Sequence, residues 1–238
     1  MPGRGGPGAA GRAGAPRRGP RRRRLSPPGK APYNGPIEIL LLCTGNRCRS
    51  PMAEALLADR LARRHIDVVV SSAGELGGGI PATGGSVRAM AMRGLDLAHH
   101  RSRTVDPAMV AAADLVVGMA RSHVREAILS CPEAWPRTFT LKELVRRAEA
   151  AGARPADEPW ERWLGTLGEG RERADLLGGH PEDDIADPIG GSEALYRRVA
   201  DEIDDLVERL VELAFPGGTV VASGTSGEGA ATDLEEQP

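Results

Sequence analysis

The chain has 238 residues, of which 40% are hydrophobic and 27% are charged. This balance is typical of a soluble globular protein, and the length suits one domain of ordinary size with tails. No apolar run approaches the roughly 18 residues that a membrane span requires, and no apolar stretch follows the basic N-terminus as in a secretory signal. Three cysteines are too few for a disulfide scaffold, so the expected compartment is the reducing cytoplasm. Composition therefore argues against membrane, secreted and disulfide-rich classes.

The net charge of −2 conceals a strong asymmetry along the chain. Residues 1–35 contain eight arginines and one lysine with no acid, whereas residues 216–238 contain four acids with no base. Both ends are poor in large apolar residues, and we predict that both are disordered tails. The domain between them, 36–215, is acidic and is not expected to bind nucleic acid. The basic tail is either without function or an arm that contacts nucleic acid or another anionic surface.

Within 36–215, short apolar runs alternate with amphipathic patterns. Strands are predicted at 37–43, 68–72, 115–119 and 137–140, and helices at 52–64, 86–93, 107–113 and 193–213. Ser50 and Pro51 suit the N-cap and first position of the first helix. Strands that alternate with helices indicate an α/β fold with a parallel sheet, in which ligands bind at the carboxyl ends of the strands.

The loop from Cys43 to Pro51 joins the first predicted strand to the first predicted helix. Backbone amides in such a turn form an anion-binding nest, which the N-terminus of the helix reinforces. Gly45 permits the tight curvature, and Arg49 offers a planar fork to an oxyanion. Cys43 would lie at the base of this positive field, which favours the thiolate and suits attack on a bound phosphoryl group.

The segment from Cys43 to Glu54 matches every fixed position of C-x-G-N-x-C-R-S-P-x-A-E. The sequence here resembles the low molecular weight protein tyrosine phosphatase family, whose bacterial members include phosphoarginine phosphatase and arsenate reductase branches. Further matching segments follow along the chain: Ser72-Ala73-Gly74, Gly94-Leu95-Asp96, His100-Arg101-Ser102-Arg103, Ala113-Asp114-Leu115 and Asp187-Pro188. The resemblance implies a four-stranded parallel sheet with helices on both faces, a three-layer flavodoxin-like or Rossmann-like sandwich.

The resemblance also implies a role for each matching residue. Cys43 is the expected nucleophile, Arg49 the expected ligand of the phosphoryl oxygens, and Asp187 the expected general acid and base. The remaining phosphate-binding loop comprises Thr44, Gly45, Asn46, Arg47, Cys48 and Ser50, and the supporting hydrogen-bond network adds Ser72 and His100. For Asp187 the alternative is a simple Asp-Pro turn. Cys48 either traps oxidised Cys43 as a disulfide or packs under the loop.

The expected activity is hydrolysis of phosphomonoesters, with protein phosphotyrosine as the first substrate and phosphorylated protein as the partner. Neither a metal nor a cofactor is implied, because Cys43 and Cys48 lack a second suitably spaced Cys or His pair. Phosphoarginine hydrolysis, arsenate reduction and non-catalytic phosphate binding are the alternatives. Arg47 fits neither the aliphatic residue of tyrosine-directed relatives nor the threonine of the phosphoarginine branch. Arsenate reductases of the family need two further cysteines to pass a disulfide outward. This chain has Met119 at the corresponding strand end and a single further cysteine, Cys131, so arsenate reduction is disfavoured.

The segment between the loop and Asp187 is longer than in typical members of the family, with the surplus inside 141–183. This insert contains Trp160, Trp163, Leu164 and Leu167 at helical spacing. The pattern predicts either an amphipathic helix that packs on the core or a lid that covers the substrate cleft.

Overall fold

The computed structural model describes residue 3 and residues 36–217. Residues 36–217 contain a four-stranded sheet with strands β1 (Ile37–Cys43), β2 (Val68–Gly74), β3 (Leu115–Gly118) and β4 (Thr138–Thr140). The strands lie in the order β2-β1-β3-β4, and every pair is parallel. The predicted tails, 1–35 and 216–238, lie outside the described residues except at positions 3, 216 and 217.

Helices connect the strands and cover the sheet. They are α1 (Arg49–Arg63), α2 (Gly84–Ala91), α3 (Pro107–Ala112), α4 (Arg121–Ser130), α5 (Leu141–Ala151), α6 (Trp160–Leu167) and α7 (Glu193–Ala214), with short 3-10 helices at Pro132–Arg137 and Arg173–Leu176. No helix within residues 36–217 is both long and apolar enough to cross a membrane.

The central strand β1 shows why the fold has three layers. Ile39 and Leu41 pack in one cluster with residues of α1, α5, α6 and α7, whereas Leu40 and Leu42 pack in another with residues of α3 and α4. Successive side chains of a strand point to opposite faces, so a strand covered on both sides is apolar throughout. This arrangement confirms the predicted α/β sandwich with helices on both faces.

The start of α1 differs from the prediction. The helix begins at Arg49, with Cys48 as its N-cap residue, so that Ser50 and Pro51 lie inside the first turn. Proline is tolerated there because the first amides of a helix have no intrahelical acceptor. The Ser50 hydroxyl does not cap the helix and instead donates to the sulfur of Cys43. Ser50 as N-cap was therefore the wrong expectation.

The predicted insert forms part of the folded core. Trp160, Trp163, Leu164 and Leu167 of α6 are all buried and join the cluster that contains α5 and α7. The ring of Trp160 stacks on Phe215 at a centroid distance of 5.5 Å. Both indoles thus pack in the interior, and neither is among the residues that line the cleft described below.

Candidate active site

Two strand ends meet where the loop begins. Cys43 ends β1 and is paired in register with Gly74, which ends β2. A Cβ atom on Gly74 would lie 2.6 Å from the Asn46 nitrogen and 2.8 Å from the Cys43 oxygen, closer than real contacts allow. Asn46 itself has φ +48°, a left-handed conformation that asparagine adopts more readily than most residues. The tight approach of the two backbones therefore fixes the start of the loop.

Two donors surround the sulfur of Cys43. The backbone N–H of Asn46 donates to Sγ over 3.2 Å, and the hydroxyl of Ser50 donates over 3.0 Å. Cys43 is 2% exposed, so these hydrogen bonds act in a poorly solvated environment. Both donors thus point to the sulfur that the resemblance assigns as the nucleophile.

The Asn46 side chain is the centre of the predicted supporting network. Its Nδ2 donates to the hydroxyls of Ser50 over 3.0 Å and Ser72 over 2.7 Å, and its Oδ1 accepts from the Arg103 N–H over 2.8 Å. His100 Nε2 lies 2.7 Å from the Asn46 backbone oxygen and donates to it. The structure thus brings together the residues predicted for this network, and the loop is held from several sides.

Arg49 lies buried at the other end of the loop, with 6% of its surface exposed. Its Nη1 donates to the Ile185 carbonyl over 3.2 Å, and its Nη2 donates to Thr44 Oγ1 over 3.4 Å and to Asp187 Oδ2 over 2.6 Å. Nε has no hydrogen-bond partner among the described residues although it is buried. A buried N–H without a partner is costly, so Nε is suited to an oxyanion in the cleft.

Asp187 lies on the loop before α7 and is half-exposed, with 42% of its side chain accessible. Its Oδ1 accepts the N–H of Ile189 over 3.1 Å, an Asx-type turn that fixes the carboxylate, while Oδ2 points to Arg49. The simple Asp-Pro turn and the acid role are thus compatible: the turn orients the carboxylate toward the phosphate loop.

A cleft of about 170 Å³ lies over the loop. It is lined by Cys43, Thr44, Gly45, Arg47, Cys48, Arg49, Leu76, Asp187 and Ile189. Leu76 and Ile189 are exposed, and Arg47 donates from Nε to the Pro81 carbonyl over 3.1 Å. The lining therefore combines two thiols, two guanidinium groups and one carboxylate with exposed apolar side chains, and it contains no aromatic ring.

Cys48 is buried behind the loop with its thiol free. Its sulfur lies 3.3 Å from Thr83 Oγ1 and 3.8 Å from the hydroxyl of Tyr196. Burial raises the pKa of Tyr196, so the phenol stays neutral. Cys48 thus packs among hydroxyl groups and also lines the cleft. Among the described residues no group of three or more His, Cys, Asp or Glu side chains is arranged to hold a metal ion.

Three supporting residues were absent from the sequence prediction of the site. Glu54 accepts from the Ser72 hydroxyl, and the Arg103 guanidinium donates to the Ser72 backbone oxygen. His123 lies with Nε2 3.0 Å from Thr44 Oγ1. Glu54 and Arg103 belong to the matched segments and could have been found there. His123 follows β3, the strand beside β1, and the shared carboxyl edge of these strands is the signal that could have found it.

Comparison with known proteins agrees with this geometry. A sequence model described as "Low molecular weight phosphotyrosine protein phosphatase" matches residues 38–162. A protein-arginine-phosphatase of Geobacillus stearothermophilus is 33% identical over 178 residues, which cover 74% of this chain and 95% of the relative. A probable low molecular weight protein-tyrosine-phosphatase EpsP of Ralstonia solanacearum is 38% identical over 106 residues, 44% of this chain and 71% of the relative.

A solved structure gives the same result. The low molecular weight protein tyrosine phosphatase from T. tengcongensis superposes with a TM-score of 0.57 at 29% identity, covering 74% of this chain and 98% of that chain. The resemblance and the flavodoxin-like fold are thereby confirmed, as is the expectation of a phosphatase. The chain belongs to the low molecular weight phosphotyrosine protein phosphatase family.

Proposed function

We propose that the chain hydrolyses phosphotyrosine in proteins through a phosphocysteine at Cys43, with Asp187 as acid and then base. The observation that carries this proposal is the meeting of Cys43, Arg49 and Asp187 in one cleft. A module that only binds phosphate has no use for a thiol nucleophile and a facing carboxylic acid. All three cysteines are free, which suits the reducing cytoplasm, and we assign the protein to that compartment.

In the first step, Cys43 Sγ attacks phosphorus, an S–P bond forms and the ester P–O bond breaks. Asp187 gives its proton to the departing oxygen, which leaves as an alcohol or phenol. The loop amides and the Arg49 guanidinium hold the equatorial oxygens, over which charge spreads in the transition state. Nε of Arg49, which has no partner among the described residues, is free for this contact.

In the second step, the Asp187 carboxylate takes a proton from water as the water oxygen attacks phosphorus. The S–P bond breaks, inorganic phosphate leaves, and Cys43 returns as a thiolate. The hydrogen bonds from the Asn46 N–H and the Ser50 hydroxyl favour this departure, since both act on the sulfur. The enzyme thus returns to its initial protonation state after one turnover.

Phosphotyrosine is favoured by the rim of the cleft. Leu76 and Ile189 present exposed apolar side chains on which a phenyl ring can pack, and the Arg47 guanidinium can stack on that ring. A phosphorylated arginine keeps a positive charge beside its phosphoryl group, which Arg47 would repel. Asp187 supplies the carboxylate among the residues that line the cleft. Because it already pairs with Arg49, it is poorly placed to balance the positive charge of a phosphorylated arginine.

Phosphoarginine is the second candidate, because the relative matched over 95% of its own length is named a protein-arginine-phosphatase. Arsenate reduction receives less support. The residue that follows β3 is Met119, not a cysteine. Cys131 is buried in the apolar cluster that contains Leu40 and Leu42. Among the described cysteines, Cys48 is the one that lines the cleft with Cys43.

The experiment is hydrolysis of an aryl phosphate with a metal chelator present, followed by matched phosphotyrosine and phosphoarginine peptides. Cys43→Ser should abolish turnover, and Asp187→Asn should lower kcat about a hundredfold or more. Cys131→Ala and Asp157→Asn are the controls, a buried thiol and an exposed carboxylate that do not line the cleft. A folded, reduced wild type without activity would overturn the proposal, and a preference for the phosphoarginine peptide would replace its substrate.

A further inference from the structure

His123 lies beneath the phosphate loop and has no part in the two chemical steps. It belongs to the first turn of α4, directly after β3, and is 2% exposed. Its Nε2 lies 3.0 Å from Oγ1 of Thr44, which in turn accepts a hydrogen bond from Nη2 of Arg49 over 3.4 Å. One chain of contacts therefore leads from a buried imidazole to the guanidinium that meets the phosphoryl group.

His123 is neutral in this chain of contacts. Burial lowers the pKa of His123 to about 3, with a further contribution from the positive charge of Arg49. A neutral imidazole carries one acceptor nitrogen and one N–H. The Thr44 hydroxyl has one hydrogen and two lone pairs, so its oxygen can accept from Arg49 while the hydroxyl also bonds to the imidazole. In either neutral tautomer, the contact with Nε2 holds Thr44 Oγ1 in place.

A buried histidine near carboxylates could instead be charged and ion-paired. Glu75, Asp106 and Glu126 line a cavity of about 210 Å³ together with His123 and Cys43. Nδ1 of His123, however, has no hydrogen-bond partner among the described residues. Burial and the neighbouring Glu126 raise the pKa of Glu75. No ion pair joins His123 to these carboxylates among the described residues, so the contacts favour the neutral imidazole.

We propose that His123 is a positioning residue: the hydrogen bond between its Nε2 and the Thr44 hydroxyl holds Thr44 Oγ1 where it accepts from Arg49 Nη2. Ile185 supplies the second fixed acceptor of Arg49, through its carbonyl and Nη1. With both Nη atoms held, the guanidinium keeps one orientation before the phosphoryl group binds. This inference rests on the proposed function of Arg49 as the phosphoryl ligand.

Glutamine and asparagine at position 123 separate the hydrogen bond to Thr44 from the bulk of the side chain. Both are neutral and polar, but the amide of glutamine reaches the position of Nε2, whereas that of asparagine reaches only the position of Nδ1. His123→Gln should keep the affinity for inorganic phosphate within about twofold of wild type. His123→Asn should lose about three- to tenfold, the usual effect of one hydrogen bond, in phosphate affinity and in kcat/KM for an aryl phosphate. Equal values for the two variants would overturn the proposal.

Two substitutions of Thr44 provide a second matched pair of variants, and they do not alter the hydrophobic core. Thr44→Ser keeps the hydroxyl and Thr44→Val removes it at nearly the same volume. The valine variant should lose phosphate affinity as His123→Asn does, the serine variant should not, and Thr44→Val with His123→Asn should lose little more than either alone. Additive losses, or a valine variant equal to wild type, would contradict the inference. Calorimetry with inorganic phosphate needs no turnover, so an inactive wild type would count against the proposed function alone.

Discussion

Arg49 donates from Nη2 to Asp187 Oδ2 over 2.6 Å, so the guanidinium of the phosphate loop holds the carboxylate of the facing loop directly. The arginine side chain is 7% exposed and that of the aspartate 42% exposed. This pair joins two groups that are 138 residues apart in the chain. A phosphate dianion that binds Arg49 must either displace the Asp187 carboxylate from it or bind when Asp187 is protonated.

Asp187→Asn should therefore bind inorganic phosphate more tightly while it turns over more slowly. Removing the competing negative charge is expected to lower the Kd for phosphate about three- to tenfold, whereas loss of the general acid lowers kcat about a hundredfold or more. Titration calorimetry and steady-state kinetics measure the two effects. Weaker phosphate binding by the variant would show that the carboxylate does not compete for Arg49.

Gly74→Ala should distort the phosphate loop. The new Cβ would lie 2.6 Å from Asn46 N, 2.8 Å from Cys43 O and 2.9 Å from Thr44 O, all backbone atoms that cannot rotate away. We expect a loss of about 1–3 kcal/mol in the free energy of unfolding and a clear fall in kcat/KM. Gly77→Ala is the matched control, since a Cβ there meets nothing within 4 Å. Equal behaviour of the two variants in chemical denaturation and kinetics would contradict this account of Gly74.

The buried neutral state of His123 predicts a pH dependence of stability. Its pKa is lowered from 6.5 to about 3 in the folded protein, by burial and then by Arg49, with Glu75 and Glu126 on the same cavity. Between these values the unfolded chain binds more protons, so stability falls as pH decreases below 6.5, by at most about 1.4 kcal/mol per pH unit.

His123→Gln removes this titration. The free energy of unfolding of wild type minus that of the variant should fall steadily as pH is lowered from 6.5, as measured by urea denaturation at a series of pH values. Contributions from the carboxylates that both proteins share cancel in this difference. A difference that does not change with pH would mean that folding does not lower the pKa of His123.

The sequence was most informative where chemistry restricts the choice of residues. The strand and the loop from Cys43 to Ser50 could be predicted, because an anion-binding turn after a buried strand restricts its residues. The place of Asp187 beside that loop could be predicted from the likeness of Asp187-Pro188 to the family's segment. The residue at which α1 begins could not be predicted. The Ser50 hydroxyl could cap a helix as well as donate to Cys43, and which contact it makes depends on the loop conformation. His123 was missed because its contact with Thr44 spans 79 residues and depends on the pairing of β1 with β3.

The insert could be predicted only in part. The spacing of Trp160 and Trp163 predicts a helix, but it does not predict which elements that helix packs against. Packing against α5 and α7 places both rings in the core. Trp163→Ala should therefore lower the free energy of unfolding by about 3–5 kcal/mol and leave KM for an aryl phosphate within about twofold. Leu177→Ala, at a side chain that is 73% exposed, is the control. A large rise in KM for a stably folded Trp163→Ala protein would point to a lid.

The central claim is that phosphorus is transferred to Cys43, and the direct measurement is rapid-quench mass spectrometry of the enzyme during turnover of an aryl phosphate. Asp187→Asn is the protein to use, because without the base the second step slows and the intermediate accumulates when the leaving group is good. The account predicts a phosphoryl group on the peptide that contains Cys43, and none after Cys43→Ser. Steady hydrolysis with no phosphocysteine, or hydrolysis that survives Cys43→Ser, would contradict it.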